Sequence, residues 1–130
     1  MARVKHIAIR TADVEKTAAF YRDAFGLEQI GKAQNGVYLT DGYLNIAVLQ
    51  MRAPVEGETM KLGLDHLGFQ VDDLAATVTR IQRLGGKSLA TPVPGSGQVG
   101  TEGQSYFEVK CVGPDEQVFD VSAAGWAGGK

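Results

Sequence analysis

The sequence predicts an α+β fold in which two paired βαβββ modules form a curved mixed sheet around a pocket. Two observations predict it. A gapless shift of 60 residues lays one half on the other, bringing His6 onto His66, Asp13 onto Asp73, Thr17 onto Thr77 and Gly26 onto Gly86. Each half also runs in the same order: strand, helix, glycine stop, then short strands. A lone unit of that kind leaves one sheet face uncovered, so two copies must pair.

The elements follow in order. Val4 to Arg10 alternates, with Ile7 and Ile9 on one face and His6 and Ala8 on the other. Asp13 is a helix cap, and Val14, Ala18, Tyr21 and Phe25 recur at helical spacing up to a stop at Gly26. Leu27 to Gly31, Val37 to Thr40 and Tyr43 to Leu49 read as strands, separated by Asn35-Gly36 and Asp41-Gly42 turns. Met51 to Leu62 is polar and broken by Pro54 and Gly57. The division is therefore one domain over 1–130, with module one at 1–52, a linker at 53–62 and module two at 63–126.

The second half restarts with a strand at Leu64 to Val71. A helical stripe follows at Leu74, Val78, Ile81 and Leu84, ended by Gly85 and Gly86. Later strands are expected at Lys87 to Ala90, Ser105 to Val112 and Val118 to Ser122. Pro92 to Gly103 is rich in Gly and Pro and long enough to form a mobile flap.

The bulk properties fit a small-molecule protein. The chain has 130 residues, 44% hydrophobic, enough for one cored domain. A net charge of −2 and the lack of any basic run argue against nucleic acid or anionic membrane as partner. No apolar run has membrane-spanning length, and MARVKHIAIR does not read as a signal peptide. The single cysteine, Cys111, fits a reducing compartment, and the expected location is the cytoplasm.

In both first strands the bulky residues share one face, and the other face carries His6 with Ala8, then His66 with Gly68 and Gln70. The last strands offer Asn45 and Ala47, then Asp120 and Ser122, on the matching face. Small residues leave space, and polar ones require partners, which describes a ligand pocket. Two imidazoles and a carboxylate, His6, His66 and Asp120, can hold a divalent metal and leave other positions open. Iron(II) or manganese(II) suits the set best, and zinc, nickel or cobalt can use it. Glu108 is a rival carboxylate. Asn45 is the first-half counterpart of Asp120 and suits substrate contact, as do Gln70 and Tyr106, and Lys110 is a further polar pocket contact. Tyr43 and Tyr106 are the acid/base candidates.

The stretches VKHIAIRTADVEKTAAFYRDAFGLE, LDHLGFQVDDLAATVTRIQRLGG and GPDEQVFDVSAAGW resemble the vicinal oxygen chelate superfamily, which includes glyoxalase I, bleomycin-resistance proteins and extradiol dioxygenases. The resemblance covers nearly the whole chain. It implies metal ligands at His6, His66 and Asp120, with a fourth position at Asn45, or at Ala47 in a shifted register. It also implies a small-molecule substrate and a homodimer. The family usually has Glu where this chain has Asp120, and a Glu or Gln ligand near Asn45 in glyoxalase I and methylmalonyl-CoA epimerase. Three-ligand sites resemble those of dioxygenases and thiol transferases. A metal-free drug-sequestering protein is the alternative implied by the same fold.

Overall fold

The structure, a computed structural model, describes residues 1–51, 62–89 and 108–128. The element order is β1 (Arg3–Thr11), α1 (Val14–Phe25), β2 (Glu28–Ala33), β3 (Gly36–Thr40), β4 (Asn45–Gln50), β5 (Gly63–Gln70), α2 (Leu74–Arg83), β6 (Lys87–Ser88), β7 (Glu108–Val112) and β8 (Val118–Ser122). One eight-stranded mixed sheet runs β2-β3-β4-β1-β5-β8-β7-β6. The first βαβββ unit fills one half and the second fills the other, as the repeat predicts. The expected flap, Tyr106 and most of the expected linker lie outside the described residues.

The helices start and stop on side-chain chemistry. Asp13 accepts from the Lys16 N–H at 3.0 Å, and Asp73 accepts from the Ala76 N–H at 2.9 Å, which satisfies otherwise orphaned donors of each first turn. At the end of α1, Gly26 adopts φ +69° and its N–H reaches Arg22 O, a geometry that costs glycine little. Tyr43 was expected inside a strand but stands before it. Asp41 Oδ1 accepts the N–H groups of both Tyr43 and Leu44, and this turn delays β4 to Asn45.

The two helices lie on one face of the sheet. Ala18 of α1 packs with Val37, Leu39 and Val48, and Leu74, Val78 and Ile81 of α2 cover Val109, Cys111 and Val121. Among the described residues no helix covers the opposite face. In the first module it carries Ala8, Tyr38, Ala47 and Leu49, with Ile30 and Ala33 packed against them. Among the described residues no helix is long and apolar enough to cross a membrane.

The modules join through antiparallel β1 and β5. Ile7 faces Leu67, His6 faces Gly68 and Ala8 faces His66. The Ile7–Leu67 pair therefore lies on a local two-fold axis relating the halves. A bulge interrupts each strand just before its histidine, at Lys5 in β1 and at Asp65 in β5.

Leu39 is fully buried in the first module's core. Leu39→Ala is expected to cost about 2–5 kcal/mol of unfolding free energy, read from urea denaturation.

Candidate metal centre

The bare face brings together the two histidines and the aspartate. Because His6 and His66 each stand opposite a small residue of the sister strand, their rings meet diagonally, with centroids 5.3 Å apart. Asp120 lies on β8, which pairs in parallel with β5 and places Asp120 beside Gly68. One ligand atom from each of His6, His66 and Asp120 lies within 4.8 Å of the others, and all three residues are buried. Donors about 2.1 Å from one ion lie roughly 3–4 Å apart, so a small inward rotation closes the set. Asp120, though one methylene shorter than Glu, reaches the cluster.

The hydrogen bonds fix how each group is presented. Asn45 Nδ2 donates to the Ala127 carbonyl at 2.8 Å, which orients the amide and turns its Oδ1 to His6 Nδ1 at 2.6 Å. A carbonyl oxygen only accepts, so His6 carries its proton on Nδ1 and offers a lone pair on Nε2. Burial holds the His6 pKa down at about 4, with the Asn45 bond only partly opposing it. His66 Nδ1 donates to Asp65 Oδ2 at 2.6 Å. Burial also disfavours charge on His66, but the Asp120 and Asp65 carboxylates outweigh it and raise its pKa.

Asp120 uses its two oxygens differently. Oδ1 accepts from Lys110 Nζ at 2.7 Å. Oδ2 comes within 2.9 Å of His66 Nε2 yet makes no hydrogen bond of proper geometry, and it is buried. Burial alone would raise the Asp120 pKa; the His66 imidazole and the Lys110 ammonium overcome that and lower it. A buried carboxylate oxygen without a directed donor, facing two imidazoles, fits a divalent cation. Ala47, not Asn45, is the register equivalent of Asp120: Ala8 pairs with Ala47 as Gly68 pairs with Asp120. A methyl group therefore stands where a fourth ligand would come, and Asn45 instead holds His6.

The other candidates fall differently. Tyr43 is 45% exposed in its turn, with Lys5 Nζ 3.4 Å over its ring, and it is not a member of the clustered group. Gln70 ends β5 beneath Gly125, where an added Cβ would meet its Oε1 at 2.7 Å. Glu108 is turned to Trp126, accepting from its indole N–H at 2.8 Å, and burial together with the Asp120 charge raises its pKa. Trp126 itself stacks on His6, with centroids 4.8 Å apart and planes 9° apart. Its segment crosses the bare face between modules, bonded to Ser122 by Gly125 and to Thr40 by Gly128. Sequence reasoning named Lys110 as a polar pocket contact and missed Trp126 and Asp65 as parts of the site. Only the adjacency of Asp65 and His66 hinted at either of them.

Two βαβββ modules sharing one sheet, with repeat-related imidazoles on its bare face, define a class of paired-module proteins. A sequence model of the Glyoxalase/Bleomycin resistance protein/Dioxygenase superfamily matches residues 3–107, and the chain belongs to that superfamily. Members bind small-molecule substrates and typically a divalent metal. The chain is 27% identical over 104 residues to a probable chloroplastic lactoylglutathione lyase of Arabidopsis thaliana, covering 73% of this chain and 30% of that protein. It is 27% identical over 107 residues to human mitochondrial methylmalonyl-CoA epimerase, covering 72% of this chain and 60% of that one. It thus spans less than two thirds of these curated relatives. The fold also matches a 2,3-dioxygenase of Pseudomonas sp. KL28, with TM-score 0.67, 22% identity, and coverage of 98% of this chain and 42% of that one.

Two outcomes follow from the geometry. An added Cβ at Gly68 would meet His6 Cβ at 2.7 Å and Trp126 Cη2 at 2.8 Å. Gly68→Ala should lift the single Trp off His6 and shift its fluorescence to longer wavelength. The second concerns acid. Unfolded His6 takes up a proton near pH 6.5, while folded His6 resists until about 4. Its contribution to stability is complete above 6.5 and lost as pH falls toward 4, by up to about 3 kcal/mol. Urea midpoints of the metal-free protein should fall over that range, and His6→Gln should flatten the fall.

Proposed function

We propose that the chain is a metal-dependent enzyme acting on a small substrate that chelates the ion through two oxygens. The observation that carries this reading is the convergence of His6, His66 and Asp120, from three different strands, with the buried Oδ2 of Asp120 lacking a directed hydrogen-bond donor. These three residues would hold the ion, and the ion would supply Lewis-acid polarisation of substrate oxygens. Iron(II) or manganese(II) suits the donor set best.

The chain's own residues set the rest. Asn45 holds His6 in the tautomer that offers Nε2. Lys110 balances the Asp120 charge through Oδ1 and leaves Oδ2 toward the cluster. Trp126 covers one side of His6 and excludes water there. Glu108, buried and held protonated more readily than a free carboxyl, is the nearby group suited to exchanging a proton with substrate. Ring cleavage would call for a His or Tyr acid/base. Tyr43 is engaged by Lys5, so Tyr106 is the remaining tyrosine candidate for a dioxygenase, and lyase, isomerase or transferase chemistry fits the same donor set.

Elemental analysis of protein purified without added metal, then reloaded with manganese(II), tests the reading. Wild type should hold about one ion per chain. His6→Ala, His66→Ala and Asp120→Asn should each weaken binding by more than ~100-fold, beyond the usual effect of changing a residue behind a ligand. Folded wild type that takes up no metal at any loading would overturn the enzyme reading in favour of a drug-sequestering protein.

A further inference from the structure

His66 differs from His6 in what stands behind it. His6 is backed by a neutral amide, whereas His66 is backed by a carboxylate, Asp65, at 2.6 Å. Neighbouring residues of a regular strand point to opposite faces, so Asp65 should face away from His66. The bulge changes that. Ala8 pairs with His66 and Ile9 with Leu64, leaving Asp65 without a partner in β1 and free to turn toward the imidazole. Arg10 reinforces the arrangement: its Nη1 donates to the Gln50 carbonyl at 3.1 Å, and its Nε lies 3.8 Å from the same Asp65 oxygen that His66 contacts. That Nε is buried and makes no hydrogen bond of its own, which leaves the Asp65 carboxylate as a counter-charge in reach.

The repeat makes the point sharper. Lys5 is the equivalent of Asp65 and is also the bulged residue before its histidine, but it turns to Tyr43 instead. The same backbone device thus serves two different side chains. Only in the second module does it deliver a charge behind a ligand candidate.

We propose that Asp65 is a positioning residue of the metal centre: delivered by the bulge and held by Arg10, it fixes the proton of His66 on Nδ1 and strengthens Nε2 as a donor to the cation. This rests on the metal-centre reading above. A carboxylate behind a ligating imidazole locks ring orientation and raises ligand basicity, and its loss typically weakens metal binding 10- to 100-fold.

The probe is cobalt(II), titrated into metal-free wild type, Asp65→Asn and Asp65→Ala and followed by visible absorption. Asp65→Asn keeps the shape and removes the charge. Both variants should bind roughly 10- to 100-fold more weakly, Ala more so than Asn. The urea midpoint of metal-free Asp65→Asn should fall by much less than the loss of metal affinity would predict. In the zinc-loaded protein, the His66 Nδ1 proton should give a downfield resonance that exchanges slowly in wild type and is lost in Asp65→Ala. Variants that bind cobalt within twofold of wild type overturn this inference and leave the metal centre standing. A weaker affinity matched by an equal loss of metal-free stability overturns it too, since Asp65 would then serve only the fold. Wild type that binds no cobalt overturns the metal centre, and the role of Asp65 with it.

Discussion

The antiparallel pairing of β1 with β5, centred on Ile7 opposite Leu67, is the constraint on which the rest of the molecule depends. Among the described residues it is the one place where the two modules share backbone hydrogen bonds. It also sets the sequence separation of the site at nothing: two histidines 60 residues apart become diagonal neighbours because each lies one position from the axis. Side chains at such diagonal positions reach each other only if the residues directly opposite are small. Ala8 and Gly68 meet that condition, and they are themselves related by the axis. Gly68 meets it twice, since the Trp126 ring occupies the space above it.

The frame is symmetric, but its contents are not. On the bare face the first module is largely apolar, with Tyr38, Ala47 and Leu49 packed together, while the second carries Lys110, Asp120, Glu108 and Ser122. Ala47 against Asp120 and Lys5 against Asp65 show the same divergence at equivalent positions. The first module thus supplies one imidazole and a wall, and the second supplies the charge. The 123–128 segment binds the two together, with Trp126 linking Glu108 to His6 and Ala127 accepting from Asn45.

Much of this was legible in the sequence because it is local. Alternation identified the strands, Asp13 and Asp73 marked the helix starts, and the histidine repeat identified which strands mattered. What was not legible is register and long-range packing. Pattern alone could not choose between Asn45 and Ala47 as the partner of Asp120, since both lie on the same face of β4 and only the pairing with β1 decides. Tyr43 was misplaced into a strand because the Asp41 turn competes with strand extension through its side-chain oxygen. The bulge at Asp65 has no sequence signature, so an acid that ought to face away gave no sign of its role. Trp126 lies beyond the last strand, and nothing in its neighbours says that it folds back over His6.

The two oxygens of Asp120 indicate how such a cluster stays both stable and receptive. A fully paired buried carboxylate would have to give up a partner before meeting a cation, and an unpaired one would be costly to bury. Here Lys110 holds Oδ1 from the side of β7, where its ammonium is partly exposed, so the charge is balanced without occupying the centre. Oδ2 is left 2.9 Å from His66 Nε2 but not in a directed hydrogen bond that must be broken. Asp65 supports His66 from behind. His6, His66 and Asp120 would hold a divalent ion with the Lys110 contact, the Asn45 contact and the strands carrying them left in place. A site of this kind is pre-organised by its surroundings, which is the expected benefit of placing short side chains on paired strands instead of loops.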